Sequence, residues 1–459
     1  MVEKIDTVAH RHVGAAFAAV DSEAIRVHRE RCAKVRNRNV DCLKCAAACT
    51  SGCISLEDGE LVIDASKCVG CGTCATVCPT CALESLNPTD AQLKAACLAV
   101  VRETAVPAAE VEAGLAAGDS VREVVIACSQ AEDALGGVLV PGSCASVVCA
   151  GRVDESLLAG LAAEGVQRAV VLCGLCDRCE QRHGRDTAEL VAETARLVLN
   201  AWGNDMEIVV TDVPPASAVR EDAAPHAAIE ARDAYFAEER ACVPINVAES
   251  HAIVGSDEDA SSKGALRGGT ATSRTPASLS SPEAEAADTT AGPGMRFYWN
   301  SGHTRKVSHS MHVMKDGTLP HFVPDRRERL LDALSQLGEP VQPKLETRLW
   351  GAVVIDGAKC ESCRMCATFC PTGAITKFDD PDGTMGVTHT PADCVKCGSC
   401  QDICPADAIT LLDSVPTAWL ENGEHHRYVM TPRPVSLKDN PHQILDTFRL
   451  TFNGDIFER

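Results

Sequence analysis

Residues 360–371 read C-E-S-C-R-M-C-A-T-F-C-P, and residues 394–405 read C-V-K-C-G-S-C-Q-D-I-C-P. Both are C-x2-C-x2-C-x3-C-P, the run that wraps thiolates around [4Fe–4S] cages. A third copy, C-V-G-C-G-T-C-A-T-V-C-P, occupies 68–79. Short x2 spacings bring three sulfurs to one cluster; the fourth cysteine, three residues on, points away and serves a second cluster. That logic assigns Cys360, Cys363, Cys366 and Cys404 to one cluster, and Cys394, Cys397, Cys400 and Cys370 to another. Pro371 and Pro405 turn the chain away, because proline cannot continue a hydrogen-bonded helix. Structural zinc also uses C-x2-C pairs, but two complete four-cysteine runs with following prolines suit it poorly.

The block 351–412 resembles bacterial two-[4Fe–4S] ferredoxins along its whole length. The N-terminal block, 41–86, is less regular. Cys68, Cys71, Cys74 and Cys78 keep the standard spacing, whereas Cys42, Cys45, Cys49 and Cys53 are spaced x2, x3, x3, and Ile54 stands where proline is expected. The expected pairing is Cys42, Cys45 and Cys49 with Cys78, and Cys68, Cys71 and Cys74 with Cys53. The extra residue leaves an altered potential or another cluster type open for the first of these. Glu57-Asp58-Gly59-Glu60 between apolar runs reads as a hairpin turn. C-A-T-V-C-P-T at 74–80 repeats C-A-T-F-C-P-T at 366–372 with one difference, so the two blocks form an internal repeat. Cys81 takes the slot of Gly373 and reads as a small buried residue; the isolated Cys32, Cys97 and Cys242 also read as structural.

Between the blocks the pattern changes. V-R-E-V-V-I-A (121–127), G-V-L-V (137–140), R-A-V-V-L (168–172) and M-E-I-V-V-T (206–211) read as strands. D-E-S-L-L-A-G-L-A-A-E-G (154–165) reads as an amphipathic helix and 187–200 as another. Strands alternating with helices predict a parallel α/β sheet. The predicted fold is thus α+β ferredoxin-like dicluster modules at both ends with a central α/β parallel-sheet domain. The expected boundaries are a helical, charged segment 1–40, module 1 at 41–86, a two-helix connector 87–120 and the α/β domain 121–250. A flexible Ser/Ala/Gly-rich linker 251–295 follows, then an unassigned segment 296–350, module 2 at 351–412 and a tail 413–459 wrapping on it.

Cysteines in the central domain follow strands: Cys128 after V-V-I-A, Cys144 after V-L-V-P-G-S, and Cys173 after A-V-V-L. Open α/β sheets bind ligands at the carboxyl ends of their strands. C-G-L-C-D-R-C (173–179) repeats every third residue, which a scattered set of core cysteines does not. The segment 148–174 resembles the family of small iron–sulfur subunits of methyl-viologen-reducing hydrogenases, through Cys149-Ala150-Gly151-Arg152-Val153-Asp154 and Cys173 above all. The resemblance, over about 121–215, implies a small α/β domain that carries a [2Fe–2S] cluster and couples hydrogenase to heterodisulfide reductase. One departure is that Ser129-Gln130-Ala131 follows Cys128 where the family has a second cysteine. The cluster type therefore stays open, with Cys149, Cys173 and Cys179 the leading ligands and Cys128, Cys144 and Cys176 next.

The 26 cysteines sit in tight metal-type spacings, and the N-terminus shows no secretory pattern, so a reducing cytoplasm is expected. No run of 18 apolar residues occurs, so no spanning helix is expected, and a peripheral place in a membrane complex stays open. A net charge of −21 disfavours nucleic acid and suits docking on basic redox partners. No phosphate-binding glycine motif is present, so no flavin, nicotinamide or ATP site is expected. His303, His309, His312 and His321 read as a solvated polar segment. The expected cofactors are about four [4Fe–4S] clusters plus one central cluster. The expected role is a non-catalytic subunit relaying single electrons between redox protein subunits of a hydrogenase, formate dehydrogenase or heterodisulfide-reductase-like complex. The alternatives are an enzyme with an open central cluster and a redox- or metal-sensing scaffold.

Overall fold

The computed structural model describes residues 24–57, 59–105, 120–176, 179, 183–223, 227–239, 314, 318–421 and 423–431. The linker, Cys242, His303, His309 and His312 lie outside them.

In the N-terminal module, β1 (Ile25–Val27) precedes two short helices, α1 (Ala33–Arg36) and α2 (Lys44–Ala47). The hairpin β2 (Ile54–Glu57) and β3 (Glu60–Ile63) is antiparallel and pairs Glu57 with Glu60. Next come α3 (Thr73–Val77) and β4 (Leu83–Ser85), which is antiparallel to β1. The helical expectation for 1–40 does not hold over its described part. That part opens with a strand, because Ile25 and Val27 pair with Ser85 and Leu83 and the isoleucine is buried in the module. The module thus extends upstream of residue 41.

The connector 87–120 is described in part. Its described residues hold α4 (Asp90–Ala99), capped by Thr89 and Gln92 in a reciprocal box; residues 106–119, where the second helix is expected, lie outside them. Then β5 (Arg102–Ala105) lies antiparallel on β6 (Ser120–Cys128). After β6 come α5 (Ser129–Leu135), β7 (Ala145–Val147), α6 (Glu155–Ala163), β8 (Arg168–Leu172), α7 (Gly184–Ala201), β9 (Glu207–Thr211) and α8 (Ala227–Glu239). The sheet order is β5-β6-β8-β9, with β7 also on β6. The β6, β7, β8 and β9 pairings are parallel and only the β5 edge is antiparallel. G-V-L-V (137–140) is not a strand of this sheet: Leu139 makes an isolated bridge to Val219, and β7 lies a few residues on.

The unassigned segment proves to be the brace of the molecule. α9 (Asp325–Leu337) and β10 (Lys344–Glu346) follow, and Leu330, Ala333, Leu334, Leu349 and Trp350 join the central hydrophobic core. α9 lies along α6. That is why α6, amphipathic in sequence, is buried on all sides from Glu155 to Ala162: its polar face meets protein, and Arg348 pairs with the buried Glu155 at 2.6 Å.

Module 2 comprises β11 (Ala352–Ile355), α10 (Met365–Thr368), β12 (Ile375–Asp379), β13 (Met385–His389), α11 (Ser399–Asp402) and β14 (Ile409–Leu412). The tail adds β15 (Ser414–Pro416) on β10, then α12 (Ala418–Glu421), and β16 (His426–Met430) on β13. Gly386 is required there, because any Cβ would strike the Tyr428 carbonyl across the β13–β16 pair. Gly386→Ala should therefore cost about 1–3 kcal/mol and free β16. The expected readout is faster tryptic cleavage after Arg427; unchanged cleavage would refute the close approach.

Candidate metal centres

Each ligand run is built the same way. A loop with left-handed residues carries two cysteines and delivers the third into a short helix: Gly72 before α3, Arg364 before α10, Gly398 before α11. The fourth cysteine leaves the helix and faces the other run. The repeat shows in the backbone too. Ala82 donates its N–H to Cys78 Sγ at 3.3 Å, and Ala408 donates to Cys404 Sγ at 3.3 Å. Cys81 and Gly373, equivalent in the repeat, both have positive φ, at 48° and 76°. Such N–H groups aimed at sulfur are among the features that tune iron–sulfur potentials.

In module 2 the thiols fall into two groups. Cys360, Cys363, Cys366 and Cys404 line one hollow. Cys370, Cys394, Cys397 and Cys400 line another. Apolar side chains close both: Ile355, Met365 and Met430 in the first, Val353, Ile375 and Leu411 in the second. Burial raises Cys394 to about 11 and Cys397 to about 12, and the charge of Cys370 adds to both. Cys400 also responds to Cys366, so the two hollows are adjacent. Four soft donors around an apolar-lined hollow suit a [4Fe–4S] cage in their chemistry.

The N-terminal module groups its thiols differently from the spacing expectation. Cys53 is raised by its hydrogen bond with Cys68 and by burial. Cys71 and Cys74, both raised by burial, also respond to Cys68 and Cys49. The spacing pairs Cys49 with Cys42 and Cys45. Its Sγ instead lies 3.4 Å from Cys53 Sγ. Burial opposes ionisation of Cys49, but hydrogen bonds from Ser51 and Cys53 outweigh it and hold the thiol below its ordinary value. Cys42 and Cys45, raised by burial, respond to Cys78 on the other side.

In the central domain Cys128 ends β6, Cys173 follows β8, and Cys149 precedes the 3-10 turn Ala150–Arg152. These positions are the carboxyl ends of parallel strands and the loops beside them. Gly174 donates its N–H to Cys128 Sγ at 3.2 Å. A hydrogen bond with Cys176, then burial, raises Cys173; the same bond brings Cys176 down to about 7. Burial takes Cys149 to about 12, and Cys71, Cys128 and Cys176 add to it. Cys128, Cys149, Cys173 and Cys176 therefore lie within electrostatic reach of one another. Cys144 does not join them: its Sγ meets Ser143 Oγ at 3.4 Å, and the charges near it are Glu132 and Arg102. Cys179 stands just beyond Cys176, whose carbonyl accepts its N–H at 3.2 Å. The strand-end rule located this group, but only the fold separates Cys144 from it.

The groups adjoin one another. Cys71 acts on Cys149 where the 3-10 turn docks on α3, with Thr76 Oγ1 donating to the Arg152 carbonyl at 3.2 Å. Gly72 makes this docking feasible, since a Cβ there would collide with Arg152 Cδ. At the other end, the Asp41 N–H donates to Asp402 Oδ2 at 2.9 Å, and Arg36 donates to the carbonyls of Phe369 and Cys370 at 3.3 and 3.2 Å. Arg326, on α9, donates to the carbonyls of Ala75, Thr76 and Cys78. Arg327 donates to those of Leu349 and Cys394. Both arginines thus brace ligand loops from behind.

Residues 359–408 match the family model of the 4Fe-4S dicluster domain, and residues 61–84 that of the 4Fe-4S binding domain. No curated protein and no solved structure matches the chain. The chain therefore carries 4Fe-4S ferredoxin-type domains at both ends, as used in iron–sulfur electron transfer. Among the described residues, no helix is long and apolar enough to cross a membrane.

The two hollows of module 2 should lose metal separately. Cys404→Ser is expected to lower iron in anaerobically purified protein by about 4 per chain, and Cys370→Ser to do the same through the other hollow. A loss of about 8 from either single change would contradict the separation.

Proposed function

We propose that this chain is the electron-relay subunit of a larger oxidoreductase, with five metal centres arranged in series. The observation that carries this reading is the succession of thiol groups across three folded units. Cys360, Cys363, Cys366 and Cys404 adjoin the group of Cys394, Cys397, Cys400 and Cys370 through Cys366 and Cys400. That second group meets the N-terminal module at Arg36, whose guanidinium burial lowers to about 10 while the charges of Cys370 and Cys397 pull it back up. Within that module Cys74 responds to Cys45. Cys71 then hands on to Cys149 of the central group. A cluster bound in each group supplies a one-electron carrier.

The protein's own contribution is placement and shielding. Apolar side chains keep water from the sulfurs, backbone N–H groups hold them, and the acidic surface offers a docking face for basic partners. Thiols gathered at the strand ends of the central sheet support a relay over an open catalytic centre. The motif around Cys149 and Cys173 points to a hydrogenase, formate dehydrogenase or heterodisulfide-reductase-like partner in a reducing cytoplasm. A [2Fe–2S] centre in the α/β domain agrees with that resemblance.

The test is iron, acid-labile sulfide and zinc per chain after anaerobic purification, with EPR of the reduced protein. About 18–20 iron supports five centres; about 16 leaves the central group empty and breaks the series; stoichiometric zinc with little iron sinks the proposal. Cys149→Ser should remove the central signal and about 2–4 iron, while Cys144→Ser removes none.

A further inference from the structure

Three thiols of the inner N-terminal site are Cys42, Cys45 and Cys78. The fourth is not the one the spacing names. Three residues, Ala46 to Ala48, separate Cys45 from Cys49, one more than in the regular run. One extra residue in a helical turn rotates the next side chain by about 100°. Because Cys45 lies in α2 and Ala48 closes that helix, the rotation carries Cys49 away to Cys53, at 3.4 Å.

Cys32 stands on the vacated side. The β1–β4 pairing and the His28 N–H to Ala82 carbonyl bond of 2.7 Å bring its segment alongside Ala82, whose own N–H points at Cys78 Sγ. Cys32 is 9% exposed and belongs to the same buried cluster as Cys45 and Cys78. Beyond burial, the charges acting on Cys45 are those of Cys78, Cys32 and Cys42; those acting on Cys32 are Cys78 and Cys42. The N–H groups of Val35 and Lys34 are directed at its sulfur. Cys81, the other cysteine near Cys78, sits instead with Arg326 and Asp154.

We propose that Cys32 is the fourth thiolate ligand of the cluster held by Cys42, Cys45 and Cys78, and that Cys49 is a spare thiol beside Cys53, Cys68, Cys71 and Cys74. This rests on the reading of the N-terminal module as a two-cluster unit. The ligand is supplied from upstream of the cysteine run, so residues 24–40 are part of the metal site.

The experiment uses full-length protein purified anaerobically. Cys32→Ala should lose about 4 iron per chain and one EPR signal of the reduced protein, Cys42→Ala should match it, and Cys49→Ala should keep both. If Cys42→Ala loses that iron and Cys32→Ala keeps it, the Cys32 assignment falls and the two-cluster module stands. If Cys42→Ala keeps its iron, the module reading falls and takes the assignment with it. Should Cys32→Ala fail to fold, alkylation of the unaltered holoprotein decides. Cys49 should then take iodoacetamide while Cys32 stays unlabelled until the iron is chelated; the reverse labelling overturns the proposal.

Discussion

Crowding of buried thiols is the constraint on which this structure depends. Four sulfurs in one apolar-walled hollow cannot ionise together without a counter-charge, because burial and mutual repulsion both favour the protonated form. The shifts follow that rule: Cys45 and Cys149 rise to about 12, and Cys394 to about 11. Iron reverses the balance by bonding the thiolates, so metal binding and folding of these modules are one process. Small strands and four-residue helices such as α2, α10 and α11 bury too little apolar surface to stand alone.

In the proposed relay the joints between units matter as much as the units. Arginines at these joints occupy backbone carbonyls of ligand loops or tie the loops together through carboxylates. Arg36 spans from α1 to the carbonyls of Phe369 and Cys370. Arg326 and Arg327, adjacent on α9, reach ligand loops of different modules. Arg152, 3% exposed, meets Asp90 and Asp154 while its backbone receives Thr76. A guanidinium is suited to this, since it keeps its charge when buried and spreads several donors in one plane. These cations also sit near the cysteine sulfurs, and so lessen the cost of gathering so much negative charge.

The central domain obeys the ordinary logic of open α/β sheets. Its parallel strands are buried runs of valine, isoleucine and alanine, and their carboxyl ends present the cysteines. α9 completes it from a distant part of the chain, turning α6 into an interior helix and joining the core to module 2 through Trp350 and Ala352. The sheet is therefore the platform on which two ferredoxin-type modules meet.

The cysteine runs by themselves determined much of the protein. C-x2-C-x2-C-x3-C-P dictates where three sulfurs converge and where the fourth diverges, so the two hollows of module 2 were legible residue by residue. The alternation of apolar runs and helices likewise announced the parallel sheet, because period and run length are local properties. What the tertiary structure alone decided was non-local. The extra residue before Cys49 was visible, but its consequence, a thiol facing Cys53 and an upstream Cys32 beside Cys45, depends on the β1–β4 pairing across nearly sixty residues, as between Arg26 and Glu84. Cys144 and Cys176 look alike as strand-end or loop cysteines, and only the folded loops place Cys176 among thiols and Cys144 by Ser143. α9 carries no motif, and its role follows from which helix face it covers, a contact between segments that share no local pattern.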